Sequence, residues 1–360
     1  MEGLHVTVIL VTGGAGFVGS RLAMGIKSAR PEARVVALDN LRRRGSELNV
    51  PRLASAGVEF RHGDVRDTAD LAAVGAIDCL LECSAEPSVL AGYGESPRYV
   101  LDTNLLGAIN CLEVARRHGA GFVFLSTSRV YPIEPLRRLR YAEGPTRFEL
   151  AAAQETAGVS AEGIREDFPL AGARSMYGAS KLSAELLLTE YQAMYGLPAV
   201  VNRCGVLTGP WQMGKVDQGV VVLWAARHAY GGSLKYIGFG GSGKQVRDLL
   251  HVDDLLDLVL YQMDHLESLS GRVFNVGGGR AMSTSLLELS TLCAELTGNT
   301  LAVTPEPDTR EADIPVYITD NARVTEATGW RPRRGVEKTL DDICRWLHDH
   351  EPELRPVLGG

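Results

Sequence analysis

The chain has no Cys-x-x-Cys pair, no His-Glu-x-x-His or related spacing, no long apolar run and no basic excess. Each absence removes a class of function. Six cysteines (Cys79, Cys83, Cys111, Cys204, Cys293, Cys344) are scattered singly, as expected of reduced thiols in a cytoplasmic protein rather than of a disulfide framework. The eight histidines show no ligand spacing, so no metal is expected. The apolar start, Val6 to Val11, runs straight into glycines, which predicts a strand and not a signal peptide or membrane span. No later stretch is long enough to span a bilayer, so no membrane partner is expected. A net charge of −7 argues against a nucleic-acid partner. The basic clusters Arg42-Arg43-Arg44 and Arg137-Arg138 read as solvated loops. There is no internal repeat and no low-complexity tract.

What is present describes a soluble globular enzyme-sized chain. Its 360 residues are 45% hydrophobic and 22% charged, enough for one large or two modest domains with a full core. Strand-like and helix-like segments alternate through the first half. Val6–Thr12, Arg34–Asp39, Val58–Arg61, Cys79–Cys83 and Gly121–Ser126 read as strands, with helices at Gly16–Ala29 and Thr103–His118. Runs such as Phe122-Val123-Phe124-Leu125 suit strands buried on both faces. The expected fold class is α/β: a Rossmann-like doubly wound parallel sheet with a smaller C-terminal substrate-binding lobe. Residues 132–173, rich in charge and proline, read as a long loop with a short helix near Leu150–Thr156. Ser175–Tyr195 reads as a strong helix stopped by Gly196 and Pro198, and Ala199–Arg203 as a strand. Further helices are expected at Val252–Met263, Ser285–Thr297 and Val336–His350. The expected division is a cofactor domain at 1–205, rejoined by 246–278, and a substrate lobe at 206–245 and 279–360.

Three groups of residues carry chemistry. Gly13, Gly16 and Gly19 form a GxxGxxG turn between the first strand and first helix. Glycines there admit a tight turn and close approach of a pyrophosphate to the helix N-terminus. Asp39 ends the second strand, where a carboxylate can bind ribose hydroxyls. It repels a 2′-phosphate, favouring NAD over NADP, although Arg42, Arg43 and Arg44 lie close by. Asp64 reads equally as an adenine contact or as a turn cap. Tyr177 and Lys181 stand four residues apart on one helical face. A lysine ammonium beside a phenol favours the phenolate, making a proton acceptor for a hydroxyl. Ser126-Thr127-Ser128 ends a strand, where ligands bind in a doubly wound sheet and hydroxyls can meet a substrate oxygen.

Together these residues make the chain resemble an extended short-chain dehydrogenase/reductase of the NAD-dependent sugar-nucleotide epimerase/dehydratase family. The matching pieces are Thr12–Gly19, Asp39, Asp64-Val65, Asn104, Ser126-Thr127, Val130-Tyr131, Tyr177–Lys181 and Gln245–Asp254. Within that family it is most similar to CDP-paratose/CDP-tyvelose 2-epimerases, by Leu38–Leu41, Tyr141–Phe148, Asp217–Gly219 and Gly243–Asp248. The resemblance implies that Thr127, Tyr177 and Lys181 are catalytic. It implies cofactor contacts from Gly13, Gly16, Phe17, Val18, Asp39, Asn40, Asp64, Val65, Cys83, Ser84, Ala85, Asn104 and Ser126, besides Tyr177 and Lys181. It implies substrate contacts from Glu86, Ser128, Arg129, Arg247 and Arg310, the two last on a diphosphate, and a homodimer built on paired helices.

The departures from the family pattern are specific. Ser128 and Arg129 stand where 4,6-dehydratases carry an acidic pair, Pro132 replaces a glycine, and Glu82-Cys83-Ser84-Ala85-Glu86 replaces a His-Leu-Ala-Ala stretch. Either Glu82 or Glu86 could substitute for the missing carboxylates. The preferred account gives each a hydrogen bond to local backbone or cofactor. The expected activity is epimerisation of a nucleotide sugar through transient oxidation, with hydride returned. The alternatives are dehydration of a nucleotide sugar or nucleoside, and a non-catalytic NAD-binding sensor.

Overall fold

The computed structural model describes residues 7–215 and 218–359. Val6 and Asp217, which entered the sequence reading, lie outside them. The chain divides into two compact units: Met1–Thr127, Met176–Arg203 and Leu255–Val273 form the first, and Ser128–Ser175, Cys204–Asp254 and Phe274–Gly360 the second.

A seven-stranded sheet, most of it within the first unit, organises the fold. Its strands are β1 (Val8–Thr12), β2 (Arg34–Asp39), β3 (Glu59–His62), β4 (Cys79–Glu82), β5 (Gly121–Thr127), β6 (Ala199–Cys204) and β7 (Val273–Val276). The order is β7-β6-β5-β4-β1-β2-β3. Pairings β1/β2, β2/β3, β1/β4 and β4/β5 are parallel. The direction of winding reverses between β1 and β4, which opens a crevice at their carboxyl ends. Strands β1, β2, β4, β5 and β6 are largely apolar and buried, as expected for a parallel sheet under helices, whereas the edge strand β3 (Glu59-Phe60-Arg61-His62) is polar and part-exposed. Helices α1 (Phe17–Ala29), α2 (Gly107–His118) and α3 (Met176–Tyr195) cover it. Leu10, Val36, Leu80 and Phe122 of the sheet share a core with Ala108 and Leu112 of α2 and with Ala184 and Leu188 of α3. The expected helix from Thr103 is present, but Asp102–Leu106 is wound as a wider π-turn leading into α2.

In the second unit Val246–His251 is the centre of a small sheet. It pairs in parallel with Val206–Thr208 and Val316–Tyr317 and antiparallel with Ser283–Ser285. Ser285 and Glu288 form a capping box that starts helix Leu286–Thr297. Residues 132–173 hold more structure than expected, and the helix near Leu150–Thr156 is absent. Ile133–Arg137 is a short helix, and Tyr141–Glu143 pairs antiparallel with Phe148–Leu150. Phe148 and Leu150 are buried, and the Gln154 amide donates to the carbonyls of Arg140 (2.7 Å) and Ala151 (2.9 Å). Hairpin pairing there overrides the helix propensity of the alanines. Among the described residues no helix is long and apolar enough to cross a membrane.

Candidate active site

The glycine turn closes tightly on the end of β4. Gly13 has φ +62°, and a Cβ there would lie 2.8 Å from the Cys83 carbonyl oxygen. A Cβ on Gly19 would stand 2.1 Å from the Gly13 carbonyl oxygen. Only glycine gives this left-handed turn with both approaches. Gly16 caps α1 without a side-chain acceptor, and the first turn carries no acid. The helix start, with Phe17 and Val18 part-exposed, is a positive helix end suited to a pyrophosphate.

Asp39 stands across the turn and accepts N–H bonds from Ala15 (3.1 Å) and Leu41 (2.8 Å). Burial pushes its carboxyl above the ordinary value, against the N–H groups of Leu41, Ala15 and Gly16. Asn40 donates to Asp64 at 2.9 Å. Asp64 also caps its own turn, accepting from the Arg66 N–H at 3.0 Å and pairing with its guanidinium at 2.6 Å. The Arg66 hydrogen bond, chiefly, holds Asp64 well below the usual carboxylate range. Val65 is tied to α2 by Asn110, whose amide donates to its carbonyl at 2.9 Å. Arg42 is an exposed loop residue, and its guanidinium lies 3.8 Å from the centre of the Tyr99 ring, with Arg66 also over that ring at 5.0 Å. A glycine cradle with a carboxylate at the ribose end and this arginine laid on an aromatic ring fits NAD.

Thr127 ends β5 and Tyr177 opens α3. Tyr177 is part-exposed, whereas Lys181, one turn on, is buried. Lys181 Nζ donates to Glu82 Oε2 at 2.9 Å and to the Ser84 carbonyl at 3.4 Å. Glu82 is fully buried, so it cannot reach a substrate as acid or base. Its ion-pair partner is the lysine of the Tyr-Lys pair, and the local backbone at Ser84 adds a hydrogen bond, as expected. Ser126 donates its hydroxyl to Glu185 of the same helix. Asn104 accepts from the Glu86 N–H (2.8 Å) and donates to the Glu86 carbonyl (3.1 Å) and to Ser180 Oγ (3.2 Å). Fully buried, it fastens the Cys83-Ser84-Ala85-Glu86 loop to α3. The Glu86 carboxylate accepts from the Ser88 N–H at 3.2 Å.

Within the second unit, arginines gather on the segment 310–314. Arg247 donates to Asp313 Oδ1 (2.8 Å) and to the Ile314 carbonyl (2.7 Å). Burial pulls its pKa down to about 10 in spite of Asp313. Arg129 donates to the Ala312 carbonyl at 3.2 Å. Arg137, expected to be solvated, donates to the carbonyls of Asp313, Arg310 and Glu311, each at 2.8 Å. It holds the backbone that carries Arg310. A basic doublet gave no sign of this role, because its acceptors are backbone groups far along the chain. Ser128 and Arg310 are part-exposed.

A doubly wound sheet, a glycine turn at its switch point and a tyrosine–lysine helix define a dinucleotide-dependent enzyme. The chain belongs to the NAD dependent epimerase/dehydratase family, whose model matches residues 9–277. It is 31% identical over 347 residues to a CDP-paratose 2-epimerase of Salmonella typhi, covering 94% of this chain and 98% of the relative. It is 27% identical over 357 residues to a dTDP-glucose 4,6-dehydratase of Streptomyces griseus, covering 98% and 97%. Among solved structures, the UDP-glucose 4-epimerase of Thermus thermophilus in complex with NAD superposes with a TM-score of 0.75 at 28% identity, covering 95% of this chain and 99% of that one.

Proposed function

We propose that this chain epimerises a nucleotide sugar, in the manner of a 2-epimerase, by oxidising a hydroxyl-bearing carbon and reducing it again. The observation that carries this is Tyr177, part-exposed at the start of α3, one turn from a lysine held charged by a buried carboxylate. Tyr177 takes the hydroxyl proton. Lys181 favours the phenolate by its charge. Thr127, at the end of β5, donates a hydrogen bond to the substrate oxygen. NAD, when bound, supplies reversible hydride acceptance, so none is consumed. Tyr177 then returns the proton when the carbon is reduced from the other face. Arg247 and Arg310 hold the diphosphate, a role that suits paired N–H donors.

Ser128 and Arg129 favour epimerisation over dehydration, since neither can serve as a carboxylate acid or base for loss of water. The Salmonella relative's name points to a CDP-sugar, and CDP-paratose is the first compound to test. The expected product has unchanged mass and a new sugar stereocentre by proton NMR. A product lighter by one water would replace epimerase with dehydratase, and turnover surviving in Tyr177→Phe would end the enzymatic role assigned to that residue. Leu186, Met194 and Tyr195 are exposed on α3, which supports a homodimer through that helix. Six free cysteines support a cytoplasmic setting.

A further inference from the structure

Lys181 is buried against a carboxylate from a distant part of the chain. Nζ lies 2.9 Å from Glu82 Oε2, and only 2% and 1% of the two side chains are exposed. Glu82 is the last residue of β4, in register between Thr12 of β1 and Phe124 of β5. The Phe124 ring lies beneath the ammonium, its centre 4.5 Å from Nζ. Lys181 therefore sits in a lined slot with a carboxylate at its floor and an aromatic wall. Glu82 Oε1 has no hydrogen-bond partner. Among the described residues, Lys181 is the cation paired with this carboxylate.

We propose that Glu82 is a positioning residue, a resident counter-ion that keeps Lys181 charged and aimed whatever occupies the crevice. The effect on turnover rests on the oxidation chemistry above; the pairing itself does not. Burial works to discharge the lysine, but Glu82 and then Tyr177 outweigh it, so Lys181 lies above its ordinary 10.5. Cys83, beside the end of β4, and Cys111, from α2, also face the pair. Burial pushes the Cys111 thiol well up, so it stays neutral and adds little. Burial likewise raises Glu82, opposed by the charge and hydrogen bond of Lys181. A lysine raised in the fold stabilises it below the ordinary lysine value, and that contribution is lost as pH climbs through the folded value. Without the carboxylate, burial prevails. The ammonium then loses its proton at lower pH, and the support for the Tyr177 phenolate goes with it.

The test is lysine side-chain NMR on the NAD-loaded protein, with the Lys181 signal assigned through Lys181→Arg. Glu82→Gln preserves shape and removes charge. The Lys181 midpoint is expected to fall by about one pH unit or more. The alkaline limb of kcat/KM is expected to fall with it. An unchanged midpoint overturns the proposal. Should Glu82→Gln fail to fold, melting decides instead. Lys181→Met strands a buried carboxylate and is expected to melt well below Lys181→Met/Glu82→Gln, in which neither charge of the pair is left. Equal melting of the two overturns the proposal. Neither the NMR titration nor the melting comparison needs substrate. A shifted Lys181 midpoint in a protein that turns over no nucleotide sugar would therefore sink the epimerase reading and leave the counter-ion standing.

Discussion

Helix α3 carries two buried charges of opposite sign one turn apart, and they are treated differently. Glu185 is saturated. The Arg203 guanidinium meets it at 2.7, 3.1 and 3.2 Å, and Ser126 adds a hydroxyl. Lys181 has one carboxylate oxygen, one long carbonyl contact and a ring face, and its partner keeps an oxygen without a donor. A fully bonded buried pair fixes structure, and breaking it is costly. An incompletely bonded pair beside a part-exposed tyrosine retains capacity for another ligand. The contrast separates the scaffold end of α3 from its chemical end.

That contrast can be broken by substitution. The largest effect is expected at the chemical end. Tyr177→Phe should lower turnover about 10²–10⁴-fold, with melting temperature and bound NAD unchanged; an equal loss of stability would mean that the tyrosine belongs to the scaffold. Arg203→Met should do the reverse. It isolates the Glu185 carboxylate and should cost about 3–5 kcal/mol in urea unfolding, while the remaining folded protein keeps its turnover. Ser126→Ala removes one bond and leaves the guanidinium, so it should cost about 1 kcal/mol. A cost matching that of Arg203→Met would show the hydroxyl, not the arginine, to be the true partner. Tyr99→Ala lies off both pairs and serves as a reference. Freeing Arg42 should narrow the preference for NAD over NADP several-fold, about 0.5–1 kcal/mol, measured from the two dissociation constants. A ratio that does not move would show that the ring does not confine the arginine.

The glycine turn, Asp39 and the Tyr177–Lys181 face were legible because each rests on local spacing: a turn, a strand end, one helical step. The parallel sheet was legible from the alternation of segments. The Glu82–Lys181 contact was not, since 99 residues separate the partners and only strand order brings β4 under α3. The same reason hid Arg203 from Glu185. Asn104 was singled out by resemblance alone, and its bonds to Glu86 and Ser180 emerge only once the loop and helix are placed. Arg137 was misjudged as solvated because basic loop residues generally are, and a row of carbonyl acceptors leaves no periodic mark. The missing helix at Leu150–Thr156 failed for a related cause: local preference lost to a hairpin whose Phe148 and Leu150 are buried.

A Cβ at position 13 would stand 2.8 Å from the Cys83 carbonyl oxygen and 2.9 Å from the Ser84 nitrogen, which leaves no room for it. The turn at the end of β1 and the loop leaving β4 are thereby geared together, with Glu82 one residue before the point of contact. Any side chain added at position 13 would push on the strand that carries the counter-ion of Lys181. A change made at the phosphate cradle would thus be felt at the proton-transfer helix, through β4, to which the Thr12 hydroxyl also donates at the Leu81 carbonyl.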